Sequence, residues 1–198
     1  ARALCRPILG GDRGVLDAHA AACGHTLAGV EVMERKQLGA GDLQIGEIRP
    51  AHGRSALDSA KAAVRAALGG KVQAVVAAPH NETAIHQAGI EFDGYPSFVA
   101  RLCGLHPEDG ILMLCFRHDE REIRIAHVTL HASVATALTQ ITSARVARTI
   151  RETAAALRRL GIARPKIALS GVNPHAGENG LFGAEEIDSL QPGAPGLL

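Results

Sequence analysis

Apolar and polar positions alternate along this chain in short runs that switch between two periods. Leu4–Leu9 is an apolar stretch of strand length closed by Gly10-Gly11. Val15–Cys23 then spaces its apolar residues as a helix does, and Val30–Met33 is a second short strand. Ser55–Leu68 is Ala-rich and amphipathic, and Gly69-Gly70 marks its end. Val72–Ala78 is apolar except at Gln73, and Gly-Gly and Pro79 bound it, as expected of a strand buried on both faces. Asn81–Ala88 and Pro96–Leu102 read as short helices. Ile111–Phe116 and Glu122–Leu130 read as strands joined through His118-Asp-Glu-Arg121 as a hairpin. Ser133–Gln140 and Ser143–Leu160 are helical, the second ending at Gly161, and Lys166–Val172 is a last strand. Strands alternating with helices predict an α/β fold with a mostly parallel sheet, helices on both faces and one antiparallel excursion.

The last strand delivers a loop that neither period describes. Ser170-Gly-Val-Asn-Pro-His-Ala-Gly-Glu-Asn-Gly-Leu-Phe-Gly places Gly171, Gly177, Gly180 and Gly183 around His175 and Glu178. Glycines at that density mark sharp turns and close approach of backbone to something else. Open α/β sheets bind ligands where loops leave the carboxyl ends of strands. His80 and His131 occupy the same kind of position, after Ala77-Ala78-Pro79 and Val128-Thr129-Leu130. Neutral imidazoles suit Zn²⁺, Fe²⁺, Co²⁺ or Mn²⁺, and two of them leave a coordination sphere open. His127 and His131 would share a sheet face only if the strand persisted to His131. The reading therefore favours His131 as the ligand.

Composition narrows the function classes. A net charge of +1 with interspersed acids and bases excludes a nucleic-acid partner held on a basic face. No apolar run reaches membrane-spanning length and no signal peptide is visible, so a cytoplasmic protein is expected. Cys5, Cys23, Cys103 and Cys115 lack metal-ribbon spacing and fit reduced thiols. With 3% aromatics and no Trp, Ala, Val, Leu and Ile must fill the core. The chain starts at Ala1 and stops in a Pro- and Gly-rich tail, as expected of residues 1–198 being the middle of a longer polypeptide.

Together these motifs resemble the 4-hydroxythreonine-4-phosphate dehydrogenase family. Its Asn-Pro-His-Ala-Gly-Glu motif stands at Asn173–Glu178, followed by Phe-Gly-x-Glu-Glu at Phe182–Glu186. Its Val-Thr-x-His element is Val128–His131, and its Ala-Pro-x-Asn loop is Ala78–Asn81, followed by Ala88-Gly89-Ile90. The resemblance implies a two-lobed isocitrate/isopropylmalate-dehydrogenase-like fold, NAD⁺ as oxidant, and a homodimer that shares its active sites between subunits. It also implies a divalent metal on three histidines. By motif, His131 and His175 are two of them; the third belongs to a His-Asp-Gln-Gly-His segment this chain lacks. The family's opening Gly-Asp-Pro-x-Gly-Ile-Gly segment is missing as well. By the same resemblance, Asn173 and Glu178 support the loop, and His80, Tyr95 and Ser97 contact substrate.

One departure bears on substrate. Members acting on phosphorylated compounds carry Gly-His-Thr-Glu where this chain has Gly94-Tyr95-Pro96-Ser97, and many carry Lys where it has Glu82. Losing these groups removes partners suited to a phosphate. Pro79–His86, Gly94–Ser97 and His127–His131 look closest to the terephthalate cis-dihydrodiol dehydrogenases. These oxidise 1,2-dihydroxy-3,5-cyclohexadiene-1,4-dicarboxylate with NAD⁺ and release CO₂ to give protocatechuate. Two alternatives stay open: a dehydrogenase of 4-phosphohydroxy-L-threonine or a related phosphorylated hydroxy acid, and a non-catalytic dimeric binding module.

Overall fold

The computed structural model describes residues 5–195; Leu4 of the first expected strand and the tail from Gly196 lie outside them. The chain forms two compact units, meeting in sequence between Tyr95 and Pro96. Each is α/β.

In the first unit, β1 (Ile8–Gly11) and β2 (Glu31–Glu34) pair in parallel, Ile8 opposite Glu31 and Gly11 opposite Glu34. A parallel pair needs a crossover, and α1 (Arg13–Ala22) supplies it. Asp12, only 3% exposed, holds the turn between β1 and α1. Its side chain leaves the helix uncapped and instead accepts from the amides of Gln37 (2.7 Å) and Leu38 (3.1 Å) and from Ser55 Oγ (2.8 Å). Glu34 accepts the free amide of Arg13 at the start of α1 (3.0 Å).

Helix α2 (Pro50–Leu68) opens with Pro, whose missing N–H costs nothing in a first turn. It buries Gly53, Ser55, Leu57 and Val64. At Gly53 a Cβ would stand 2.5 Å from the Ala84 carbonyl, so glycine here lets α3 (Glu82–Gln87) pack backbone to backbone. Asn81 caps α3 through the Ala84 amide (2.9 Å), and Ile85 on its inner face is fully buried. Arg35 follows β2 and donates from Nε to Asp58 on α2 (2.7 Å), a bond that raises the Arg35 pKa.

The second unit contains α4 (Tyr95–Leu102), of which Tyr95 belongs to the first unit. An antiparallel hairpin follows, of β3 (Met113–His118) and β4 (Arg121–Ala126), with Leu114 opposite Ile125 and Phe116 opposite Ile123. Asp119 takes positive φ (53°) in the turn, a conformation Asp tolerates. Ser133 caps α5 (Val134–Gln140) and Thr142 caps α6 (Ser143–Arg159). Val146, Thr149, Thr153 and Leu157 form the buried stripe of α6 at helical spacing. On this stripe lies a π-helical turn, Glu186–Leu190, running into α7 (Gln191–Gly193). At Gly193 a Cβ would stand 2.7 Å from Val146 Cβ, which makes this contact possible only for glycine.

Three expectations need correction. Val72–Ala78 and Lys166–Val172 form no strand among the described residues, and the expected mostly parallel sheet is two separate two-stranded ladders. The apolar run 72–78 has a buried strand's composition without cover: Val75 is 38% exposed and Val76 95%. A strand exists only through its neighbours' N–H and C=O groups, and no described segment pairs with these. The second hairpin strand stops at Ala126, short of the expected Leu130, where the chain leaves the ladder through the His127 amide to Leu112 O (3.1 Å). His127 and His131 therefore do not share a strand face. No described helix is long and apolar enough to cross a membrane.

Candidate functional site

The glycine loop is built by side chains that replace regular backbone pairing. Asn173 is its hub: Oδ1 accepts the His175 amide (2.9 Å) and Nδ2 donates to Phe182 O (3.1 Å). Phe182 N–H closes the loop onto Gly177 O (3.0 Å). Between these ties Ala176, Gly177, Glu178 and Asn179 all have positive φ (47°, 75°, 42°, 58°). Only Gly177 and Asn179 adopt that region readily; Ala176 and Glu178 are held there at a cost of order 1–3 kcal/mol each. Strain of this kind survives only where surrounding bonds over-determine it, and it concentrates at functional sites.

What the strain achieves is the placement of His175. Its ring stacks on Phe182 (centroids 4.6 Å apart, 29° between planes), and Nδ1 lies 2.7 Å from Glu178 Oε1. An ionised carboxylate can only accept, so neutral His175 carries its proton on Nδ1 and turns the Nε2 lone pair away from Glu178. A carboxylate placed in this way fixes the tautomer and the orientation of the imidazole. The ring is about half exposed.

Sequence reasoning missed Glu186. It is 7% exposed, and Oε1 accepts the Val172 amide (2.8 Å) at the point where the chain enters the loop. Its Oε2 is buried without a hydrogen-bond partner and abuts Gly177, where a Cβ would stand 2.8 Å away. Glu186 therefore ties the entry of the loop to its middle. In sequence it is one of two adjacent acids, and only its place in the Phe-Gly-x-Glu-Glu motif sets it apart from Glu185.

His131 lies exposed on the connection between β4 and α5, in the same unit as His175. Among the described residues no group of three His, Cys, Asp or Glu side chains could hold a metal ion. His131 and His175 stand on separate loops of the same unit, and a carboxylate lies beside the His175 ring.

In the first unit, His80, Phe92 and Tyr95 form an edge-to-face cluster, with His80 4.6 Å from Tyr95 and 4.9 Å from Phe92 by ring centroids. His80 Nε2 is buried with no hydrogen-bond partner, and Glu82 Oε1 at 3.7 Å is too far to provide one. The Tyr95 hydroxyl points to Ala78 O at a long 3.5 Å, and burial raises its pKa. Ser97 is half-buried in the first turn of α4. The structure thus joins His80 and Tyr95 directly.

The family profile described as pyridoxal phosphate biosynthetic protein PdxA matches residues 3–195. The chain belongs to the PdxA family. It is 44% identical over 149 residues to a 1,2-dihydroxy-3,5-cyclohexadiene-1,4-dicarboxylate dehydrogenase from Comamonas sp., covering 75% of this chain and 46% of that protein. It is 48% identical over 130 residues to a 4-hydroxythreonine-4-phosphate dehydrogenase from Maricaulis maris, covering 65% and 38%. The crystal structure of a 4-hydroxythreonine-4-phosphate dehydrogenase from Burkholderia phymatum superposes with a TM-score of 0.72 at 31% identity, over 97% of this chain and 61% of that one. The chain thus spans less than half the length of the two curated relatives. As a PdxA family member it has relatives named both for a dihydrodiol dicarboxylate and for a phosphorylated hydroxy amino acid.

Proposed function

We propose that this PdxA family chain carries the metal-holding histidines of an NAD- and metal-dependent dehydrogenase that oxidatively decarboxylates terephthalate cis-dihydrodiol to protocatechuate. The observation that carries this reading is Tyr95, packed against His80 and Phe92 where phosphate-handling members have histidine. That wall offers a ring-shaped substrate aromatic edges and one unpartnered imidazole nitrogen. The identity to the Comamonas protein supports the same reading.

In the reaction, the secondary carbinol carbon gives hydride to the nicotinamide and its hydroxyl gives up a proton. The adjacent carboxylate leaves as CO₂, its bonding electrons pass into the ring, and the oxygen regains a proton as the ring becomes aromatic. A divalent cation, when bound, supplies positive charge beside the oxygen on which negative charge develops. His131 and His175 would hold that cation, His175 through Nε2, since Glu178 keeps the proton on Nδ1. Asn173 and Glu186 keep the loop in the strained form that presents the ring. His80, Tyr95 and Ser97 contact substrate. In this reading residues 1–198 are the middle of a cytoplasmic two-lobed, isocitrate/isopropylmalate-dehydrogenase-like homodimer with shared active sites.

A second reading, oxidation of 4-phosphohydroxy-L-threonine, is favoured by the 48% identity to the Maricaulis protein. NAD⁺ reduction assayed with each compound on the purified protein separates the two, and faster turnover of the phosphorylated one reverses the ranking. Elemental analysis of His131→Ala and His175→Ala tests the ligands; full metal retention in both removes them from that role.

A further inference from the structure

A hollow of about 220 Å³ lies in the first unit, where β2 ends against the C-terminal half of α2. Arg35, Lys61, Arg65, Lys71 and Asp58 line it, over a floor of Met33, Ala62 and Ala66. Four positive charges against one negative leave +3 here, in a chain whose whole net charge is +1. Lys61 and Arg65 are four apart on α2, so their like charges face each other and weaken the helix. An arrangement that costs stability calls for a counter-charge, and Asp58 is already bound to Arg35 (2.7 Å). That ion pair fixes the guanidinium, while Lys61, Arg65 and Lys71 keep flexible stems that can close on a ligand.

We propose that this hollow is a binding site for a compact polyanion of the pyrophosphate class. At about 220 Å³ it lies below the roughly 300–1,000 Å³ of sites for drug-sized ligands, which suits a compact ligand. Its charge exceeds what a monocarboxylate would neutralise. None of its lining residues belongs to the aromatic cluster or the glycine loop, and the assignment stands whether or not the proposed reaction is correct.

The test is titration calorimetry of the full chain with sodium pyrophosphate, and with orthophosphate as the smaller anion, at fixed ionic strength. Saturable one-to-one binding of pyrophosphate, tighter than that of orthophosphate, is expected. Lys61→Gln/Lys71→Gln should weaken it by roughly tenfold or more, since two close charges are lost. Both are exchanges between good helix formers or loop residues, so circular dichroism should be unchanged. Lys166→Gln, in the other unit, controls for net charge and should leave the affinity as it was. Absence of saturable binding, equal weakening by Lys166→Gln, or retention of full affinity in the double variant would each overturn the assignment.

Discussion

Gly177→Ala is the substitution that interrogates the loop most directly. Gly177 has φ of 75°, and an alanine Cβ would stand 2.8 Å from the buried Glu186 Oε2 and 3.0 Å from Gly183 O. The left-handed backbone alone costs a non-glycine residue about 1–2 kcal/mol. Forcing a methyl into a filled site adds about 1–3 kcal/mol, because the Glu186 side chain is pinned by its bond to Val172 and cannot swing away freely. Together these predict a loss of about 2–5 kcal/mol. Gly180 supplies the matched control: its φ is 94° and nothing lies within 4 Å of its would-be Cβ, so Gly180→Ala should carry the backbone cost alone. The difference between the variants isolates the contact with Glu186. At roughly 2–4 °C per kcal/mol for a chain of this size, Gly177→Ala should melt some 2–12 °C below Gly180→Ala in a thermal scan followed by circular dichroism. Equal melting temperatures would refute the claim that Glu186 braces Gly177.

Two further outcomes follow from the first unit. Tyr95 is the only tyrosine and the chain has no tryptophan, so alkaline absorbance titration reads one residue; its midpoint should lie above the ordinary value of about 10, because burial disfavours the phenolate. Since the folded pKa is the higher one, stability is intact below about pH 10 and falls as pH rises from there through the folded value, which urea unfolding on either side of that window would show. Gly53→Ala gains roughly 0.5–1 kcal/mol of helix propensity but drives a methyl to 2.5 Å from the Ala84 carbonyl at a cost of about 1–3 kcal/mol, so a net loss of up to about 2.5 kcal/mol is expected in urea unfolding.

Much of this architecture was legible because local chemistry determines it. Asn81 and Ser133 open two of the expected helices, and the His118–Arg121 turn announces the hairpin. Cover was not legible. Val72–Ala78 has a buried strand's composition, yet composition does not say which segment pairs with it. The metal reading rested on His175 as a residue type; its orientation depends on Ala176 and Glu178 adopting backbone angles that neither residue favours, which no propensity reveals. Glu186 was hidden for a related reason, since adjacent acids look alike until one of them turns inward. His80 and Tyr95, fifteen positions apart in the chain, are neighbours through tertiary packing in which Phe92 touches both.

The uncovered run at Val75 and Val76 has a consequence for handling the protein. A segment that is apolar, uncharged and without its own ladder is a template for another chain's backbone, and two such segments in solution satisfy each other. Self-association by this route is second order in protein concentration. Preparations of this chain should therefore remain clear when dilute and form β-rich aggregates when concentrated, with folding of either unit unimpaired.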